Sequence, residues 1–594
     1  MKQVLIVLLA SCLLLPLGLV AAESEDANAE ALFEEIFQQK LARSPIFQTS
    51  IGVKTDYDKW DDKSEAFAQQ GHRLDKSLLG KLRALDKNKL SQANQLNVSL
   101  LEDEISTRVD NFKWRYHLYA FDQMRGYHTY VISILTNEHK VESVSDAEAY
   151  IARLNSLPVL FDQLLEKQKK SADLGVIPPK FVFEKIISAS ERAIAGAPME
   201  KGDDSILLAD FRAKVEGLEG DAKTKKDLIK RAEKALKKKV GPAYKKLIAS
   251  WQALEKRADD RAGAWKFPDG LAYYQAALEA TTTTDMTAEQ IHQTGLAEVA
   301  RIHDEMRGIM KKVKFKGELA DFFEFIRSSD QFYYPGTDEG RNAYLDDAVA
   351  LVAEIKLRLP ELFISEPSTD LLVKRVEPYR EKSAGMAFYQ AGAADGSRPG
   401  IFYANLSDMR EIAKYEMAAL VYHEGLPGHH MQISIARELQ GLPEFRKYTG
   451  YTAYIEGWGL YSELLPKEIG LYQDPYSDFG RLNMELWRAC RLVVDTGLHH
   501  YKWTRQQAID YLMVNTPAAL VRSERSIDRY IVMPSQATAY KVGMIKILEL
   551  REKSKAALGD KFDIREFHER ILAAGSLPLN LLEAEIDRWL EETT

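Results

Sequence analysis

Two cysteines in 594 residues, Cys12 and Cys490, leave almost no covalent cross-linking to consider. Cys12 falls in an amino-terminal apolar run, so the folded body would keep Cys490 alone and no internal disulfide could form. An exported chain without such staples must be held by its core or by a metal. Long apolar runs are scarce too: only residues 4–20 approach membrane-spanning length. Excess positive charge is absent. Lys and Arg number 80 against 88 Asp and Glu, a net −8 that argues against a nucleic-acid partner. There is no repeat and no low-complexity linker. What remains is an ordinary globular composition, 45% hydrophobic, enough for a large core.

Met1 and Lys2 give the apolar run a positive tip, and Val20-Ala21-Ala22 gives it a small-residue exit before Glu23-Ser24-Glu25-Asp26. This predicts a signal peptide over residues 1–22, an exported and periplasmic protein, and no membrane span once the signal is removed. Leu9-Ala10-Ser11-Cys12 also matches a lipoprotein cleavage box, but cutting there would leave an apolar tail, so cleavage after Ala22 is preferred. Residues 23–594 exceed what one core serves, which predicts two interleaved lobes, roughly 23–380 and 381–594.

The first of these stretches reads as helices, for example 29–41, 79–90, 114–135 and 146–171, the last kinking or restarting at Pro158. Ser145-Asp146 and Thr287 read as helix N-caps. Residues 212–256 read as a lysine-rich solvated hairpin turning at Gly241-Pro242. The texture changes near Met386. Short aromatic runs at 386–390 and 400–406, the second containing Tyr403, flank a turn-forming segment at 393–400. That predicts a β-hairpin whose edge could receive an extended peptide.

The chemistry concentrates just after it. Ile412, Met417, Ala418, Ala419, Leu420 and Val421 predict a buried helix, which should carry no ionisable group without a partner. Yet His423 and Glu424 sit on it, with His429 and His430 following. A histidine beside a glutamate on a helix, with a second histidine downstream, suits a zinc hydrolase: imidazoles bind the ion and the glutamate takes a proton from its water. In an unbroken helix His430 would lie about 10.5 Å further along than His423. Pro427, between glycines at 425 and 428, allows the helix to break and bring a later histidine back. Glu456, in the aromatic stretch 454–463, supplies the carboxylate that completes a two-histidine site; Glu463 reads as a supporting or solvated carboxylate. Further on, Arg488, Arg491 and Asp495 are spaced for intrahelical ion pairs. Arg529, Tyr530, Tyr540 and Lys541 bring together the phenols and cations that an oxyanion and a substrate carboxylate need.

The segments from His423 to Gln432, Glu456-Gly457-Trp458, Val494 to His499, and Arg529-Tyr530 through Tyr540-Lys541-Val542-Gly543 resemble a bacterial family catalogued as a domain of unknown function, with an HExxPGHH hallmark. Trp265 to Tyr274 and Ile291 to His303 match it as well. That family is similar to helical gluzincin peptidases such as thermophilic carboxypeptidase, thimet oligopeptidase and angiotensin-converting enzyme. The resemblance implies a mainly α, two-lobed helical shell around a deep channel, with a small hairpin or sheet near the site. It implies one zinc held by His423, Glu456 and either His429 or His430. The carboxypeptidase-like Gly-His pair points to His429; the converting enzyme's His-x-Gln points to His430 with Gln432. Glu424 would be the base. Arg529-Tyr530-Ile531 resembles the segment carrying the converting enzyme's oxyanion tyrosine, which favours Tyr530. Arg529, Tyr540, Lys541, His499 and Tyr403 are the candidate substrate contacts. The expected function is an exported zinc peptidase acting on short peptides. The alternatives are a metal-dependent amide or ester hydrolase of small molecules, and a non-catalytic exported peptide-binding or envelope protein on the same fold.

Overall fold

Helices build most of the protein, as the three-and-four spacing of its apolar residues predicts. The structure is a computed structural model and describes residues 24–377, 381, 385–392 and 398–594; the signal segment 1–22 with Cys12, and most of the hairpin turn at 393–397, lie outside the described residues. No helix among the described residues is long and apolar enough to cross a membrane.

A small cluster of Val376, Ile401 and Tyr403, and two large apolar cores, are found among the described residues. One gathers Phe33, Leu101, Tyr274, Tyr422, Trp458 and Ile586. The other gathers Tyr150, Phe161, Trp251, Ile302, Leu486 and Ile531. Each draws on residues from both sides of residue 380. The spine between them is the helix Pro475–His499, buried continuously from Asp478 to His499. It gives Met484 and Leu492 to one core and Leu486, Val494 and Leu498 to the other.

Local readings hold where burial and periodicity agree. Residues 29–41 lie within Glu25–Ala42, and Thr287 caps Ala288–Lys312 in a full capping box with Gln290. The helix Val144–Asp173 starts two residues earlier than expected, capped by Ser143, and does not restart at Pro158. A proline in a helix interior costs about 3 kcal/mol. Here Leu154, Leu157, Leu160 and Phe161 on both sides of it are locked in the core, which outweighs the loss. Residues 114–135 are not one helix. The Asp122 carboxylate accepts the amides of Met124 and Arg125 at 2.7 Å, a local turn that competes with helix, and only Tyr127–Ser133 is α-helical there. The lysine-rich segment does not turn at Gly241-Pro242. Ala222–Ala235 continues through a wide turn, Leu236–Val240, into Gly241–Glu255. Lys237, Lys238 and Lys239 still face water, as a solvated face predicts.

The expected hairpin is present as β2 (Ala387–Gln390) and β3 (Gly400–Ala404), paired antiparallel. A strand not foreseen, β1 (Leu371–Arg375), pairs with β3 in parallel, giving the order β1-β3-β2. β2 is therefore an edge strand. Asn405 N–H donates to Met386 O at 2.9 Å. By the alternation of antiparallel bonding, the amides of Ala387 and Tyr389 face away from β3.

The cores carry an acid-labile element. Burial pushes the imidazoles of His128 and His499 down to about 4 and those of His139 and His568 down to about 3. Between those values and the unfolded value near 6.5 the folded chain binds fewer protons than the unfolded one. Stability is therefore full above about pH 6.5 and falls as pH drops through the window. From pH 7 to pH 5 the loss should be about 2 kcal/mol per histidine. Urea midpoints at the two pH values test this; equal midpoints would refute it.

Candidate metal centre

The motif helix, Lys414–Glu424, is buried from Tyr415 onward and stops at Glu424; a new helix, His429–Glu438, starts after a four-residue break. Pro427 lies in the break, lacking the N–H that would have bonded the His423 carbonyl. Gly428 passes so close to that carbonyl that a Cβ there would lie 1.9 Å from it. Trp458 Nε1 donates to Pro427 O at 2.9 Å, tying the loop to the helix Thr452–Ser462 that carries Glu456. That helix in turn crosses Ala539–Leu558 where Gly457 meets Gly543, with no room for a Cβ on either.

This folding brings three ligating groups together. Atoms of His423, His429 and Glu456 all lie within 4.8 Å of one another. Glu456 Oε2 is 3.5 Å from His429 Nε2 and 3.8 Å from His423 Nε2, and the two imidazoles stand nearly perpendicular, centroids 4.7 Å apart. Ligand atoms around a tetrahedral zinc sit about 3.3 Å apart. Two imidazole nitrogens and one carboxylate at these separations fit such an ion, leaving a fourth position open. The Glu463 carboxylate lies 2.8 Å from His423 Nδ1, the placement that orients a metal-binding imidazole from behind. Gly459, one turn after Glu456, leaves the space the rings need: a Cβ there would lie 2.8 Å from His423 Cε1 and 3.0 Å from His429 Cε1.

The charges are mutually set. Burial drives His423 well below its ordinary pKa, with His429, Arg488 and Arg491 adding to the effect. Burial opposes charge on His429 too, but its bond to Glu456 and the fields of Glu456 and Glu424 outweigh it, raising the pKa to about 9. Burial would raise Glu456, yet His429, Arg491 and the Tyr540 phenol hold it low. Glu424 is raised, chiefly by burial and then by the charge of Glu456, against the pull of His429 and Arg488. The backbone N–H of Tyr389 on β2 donates to it.

All four side chains face one cleft of about 420 Å³, which Ala387 to Tyr389 of β2 border on one side and Arg488, Arg491, Arg522, Arg529 and Tyr540 on the other. Of the remaining candidates, Arg529 and Tyr540 line this cleft and the others fall elsewhere. His430 is fully buried, its Nδ1 3.1 Å from the Tyr389 hydroxyl, and it stays outside the three-ligand cluster; burial pushes it down to about 4. The break turns His429, not His430, towards His423. Lys541 is buried in ion pairs with Glu485 at 2.6 Å and Glu298 at 2.8 Å, so it braces helices and is not a cleft cation. His499 spends both ring nitrogens on backbone, accepting from Ala264 N–H and donating to Tyr530 O, each at 3.0 Å. It is structural. Tyr403 stacks on Phe388, centroids 5.1 Å apart, and the cleft wall is Phe388. The buried Tyr530 ring lies beside Arg491, while Tyr540 is the phenol on the cleft wall.

The spacing that predicts ion pairs of Arg488 and Arg491 with Asp495 does not yield them. Asp495 turns to the other side of its helix, accepting from the Tyr274 hydroxyl at 2.6 Å and Ser535 N–H at 3.0 Å. The two arginines face the cleft. Three-and-four spacing alone could not distinguish these faces on a helix buried all round.

A family described as bacterial protein of unknown function (DUF885) matches residues 45–586. The chain belongs to the DUF885 family. A lipoprotein candidate from Colwellia psychrerythraea has the same fold with a TM-score of 0.88 and 30% identity, over 96% of this DUF885 chain and 100% of its own. A lipoprotein candidate of unknown function from Shewanella oneidensis, with a TM-score of 0.74 over 95% of this chain and 99% of its own, is 19% identical and shares the fold alone. No curated protein matches.

Proposed function

We propose that this DUF885 protein is an exported zinc-dependent peptidase that hydrolyses short peptides. The observation that carries the reading is the meeting of His423, His429 and Glu456 with Glu424 in one cleft. The similarity of the motif to helical gluzincin peptidases supports it. The two histidines and Glu456 would hold the ion, and His423 would be kept in place by Glu463. A zinc ion there supplies a Lewis acid for the carbonyl and lowers the pKa of water. Glu424 is the base: its raised pKa suits it to take the proton from the attacking water and pass it to the departing amine as the C–N bond breaks. The Tyr389 amide orients that carboxylate. The outward edge of β2 offers backbone groups to an extended peptide, and Tyr540 is the phenol positioned to steady the developing oxyanion.

Export is supported by the signal-like segment and by two solved relatives described as lipoprotein candidates. Those descriptions also bring forward processing at Leu9-Ala10-Ser11-Cys12. The test is metal analysis with a screen of short peptides. Near one zinc per chain, with cleavage abolished by chelation and restored by zinc, is the expected result. A zinc-loaded protein that binds peptides without cleaving them would move the conclusion to the peptide-binding alternative; cleavage of small esters or amides but no peptide would move it to the other hydrolase.

A further inference from the structure

The cleft carries more positive charge than its own residues neutralise. Arg488 and Arg491 sit three apart on the spine helix, 6% and 9% exposed, and both line the cleft beside Glu424 and Glu456. A buried guanidinium is normally fully bonded, because taking its charge out of water is costly. These are not. Nε of Arg488, and Nε and Nη1 of Arg491, have no hydrogen-bond partner among the described residues. Arg488 reaches the Met484 carbonyl at 3.1 Å and, more loosely, Glu463 at 3.7 Å. Arg491 has no carboxylate within ion-pair distance among the described residues; it rests against the Tyr540 and Tyr530 rings, 4.5 and 5.8 Å from their centroids.

The neighbours do not cancel this charge. Arg522 has Glu416 at 3.6 Å, but Arg529 is bonded to the neutral amide of Gln536. The two cleft carboxylates, Glu424 and Glu456, are already assigned to the base and to the metal. An ion added there would increase the positive surplus. What is missing is an anion with two acceptor oxygens, the planar partner that a guanidinium fork selects.

We propose that Arg488 and Arg491 form a clamp for a substrate carboxylate, so that the protein acts on peptides presenting a free carboxylate close to the bond to be cut. This names the substrate class of the site proposed above and rests on its peptide reading. The carboxylate has two possible sources, the peptide's C-terminus or an acidic side chain, and both meet the same forks.

The experiment measures binding, not turnover, so it stands even if the protein proves not to be a hydrolase. Zinc-loaded Glu424→Gln protein is titrated by calorimetry with N-acetyl-Ala-Ala-Ala as the free acid, its C-terminal amide, and the amide of N-acetyl-Ala-Glu-Ala. The free acid, the glutamate peptide, or both should bind about 10- to 100-fold more tightly than the uncharged amide. Which one does so identifies the source. Arg491→Met and Arg488→Met in the same background should collapse that difference with zinc content unchanged. Arg491→Met removes a buried charge with no carboxylate partner among the described residues and should melt no lower than its parent; Arg488→Met leaves the buried Glu463 without its cation and should melt lower. Equal binding of all three peptides to the parent protein would overturn the clamp. So would a preference that survives both substitutions, or variants that lose stability while keeping it.

Discussion

Replacing Glu424 with glutamine should leave zinc bound and lower peptide hydrolysis by about 10²- to 10⁴-fold. The argument is geometric before it is electrostatic. Glu424 closes the motif helix next to His423 but stands outside the three-ligand cluster, so the substitution removes no ligand. Glutamine has the same length and keeps an oxygen for the Tyr389 amide. It also relieves the burial that strains the carboxylate, so the fold should not suffer. What it cannot do is accept a proton from water. The measurement pairs metal analysis with kcat on a peptide from the screen. Full activity in a zinc-loaded variant would remove Glu424 from the mechanism. Loss of the metal would make it a ligand instead.

The helical class, the hairpin and the histidine–glutamate core of the site were legible in the sequence because each rests on short-range signals. Apolar spacing gives helices; Pro427 between two glycines announces a break; Glu456 among Tyr454, Ile455 and Trp458 is a carboxylate set in an apolar, aromatic stretch. What was not legible depends on direction. His429 and His430 are neighbours, and only the path of the loop past the His423 carbonyl decides which ring meets Glu456. Lys541 reads as a substrate cation until Glu485 and Glu298 arrive from helices distant in sequence. Arg491 and Asp495 satisfy the ion-pair spacing, yet Tyr274 and Ser535 claim the aspartate from another part of the fold. On a helix buried all round there is no solvent face to orient such assignments. β1 was missed for a related reason: a five-residue strand paired in parallel takes its partner from residues 29 positions later, and no local pattern marks it.

Gly459→Ala should weaken zinc binding by about 100-fold while the protein stays folded, and this tests the packing of the centre without touching a ligand. In an ordinary helix the change favours the fold by about 1 kcal/mol, since alanine has the higher helix propensity. Gly459 is not in an ordinary place. Its absent Cβ would stand 2.8 Å from His423 Cε1, 3.1 Å from His423 Nε2 and 3.0 Å from His429 Cε1. None of these rings can yield freely. His423 is backed by Glu463 at 2.8 Å, and His429 meets Glu456 at 3.5 Å on the same helix as the new methyl group. To make room, the imidazoles must separate by several tenths of an ångström, and loss of a supporting partner behind a ligand already costs metal sites about 10- to 100-fold. A direct wedge belongs at the upper end. Competition against a chelator reads the affinity, and circular dichroism of the metal-free variant reads the fold. Zinc affinity within twofold of wild type would show that the three groups do not close around an ion. Unfolding of the metal-free variant would show instead that Gly459 serves the helix crossing.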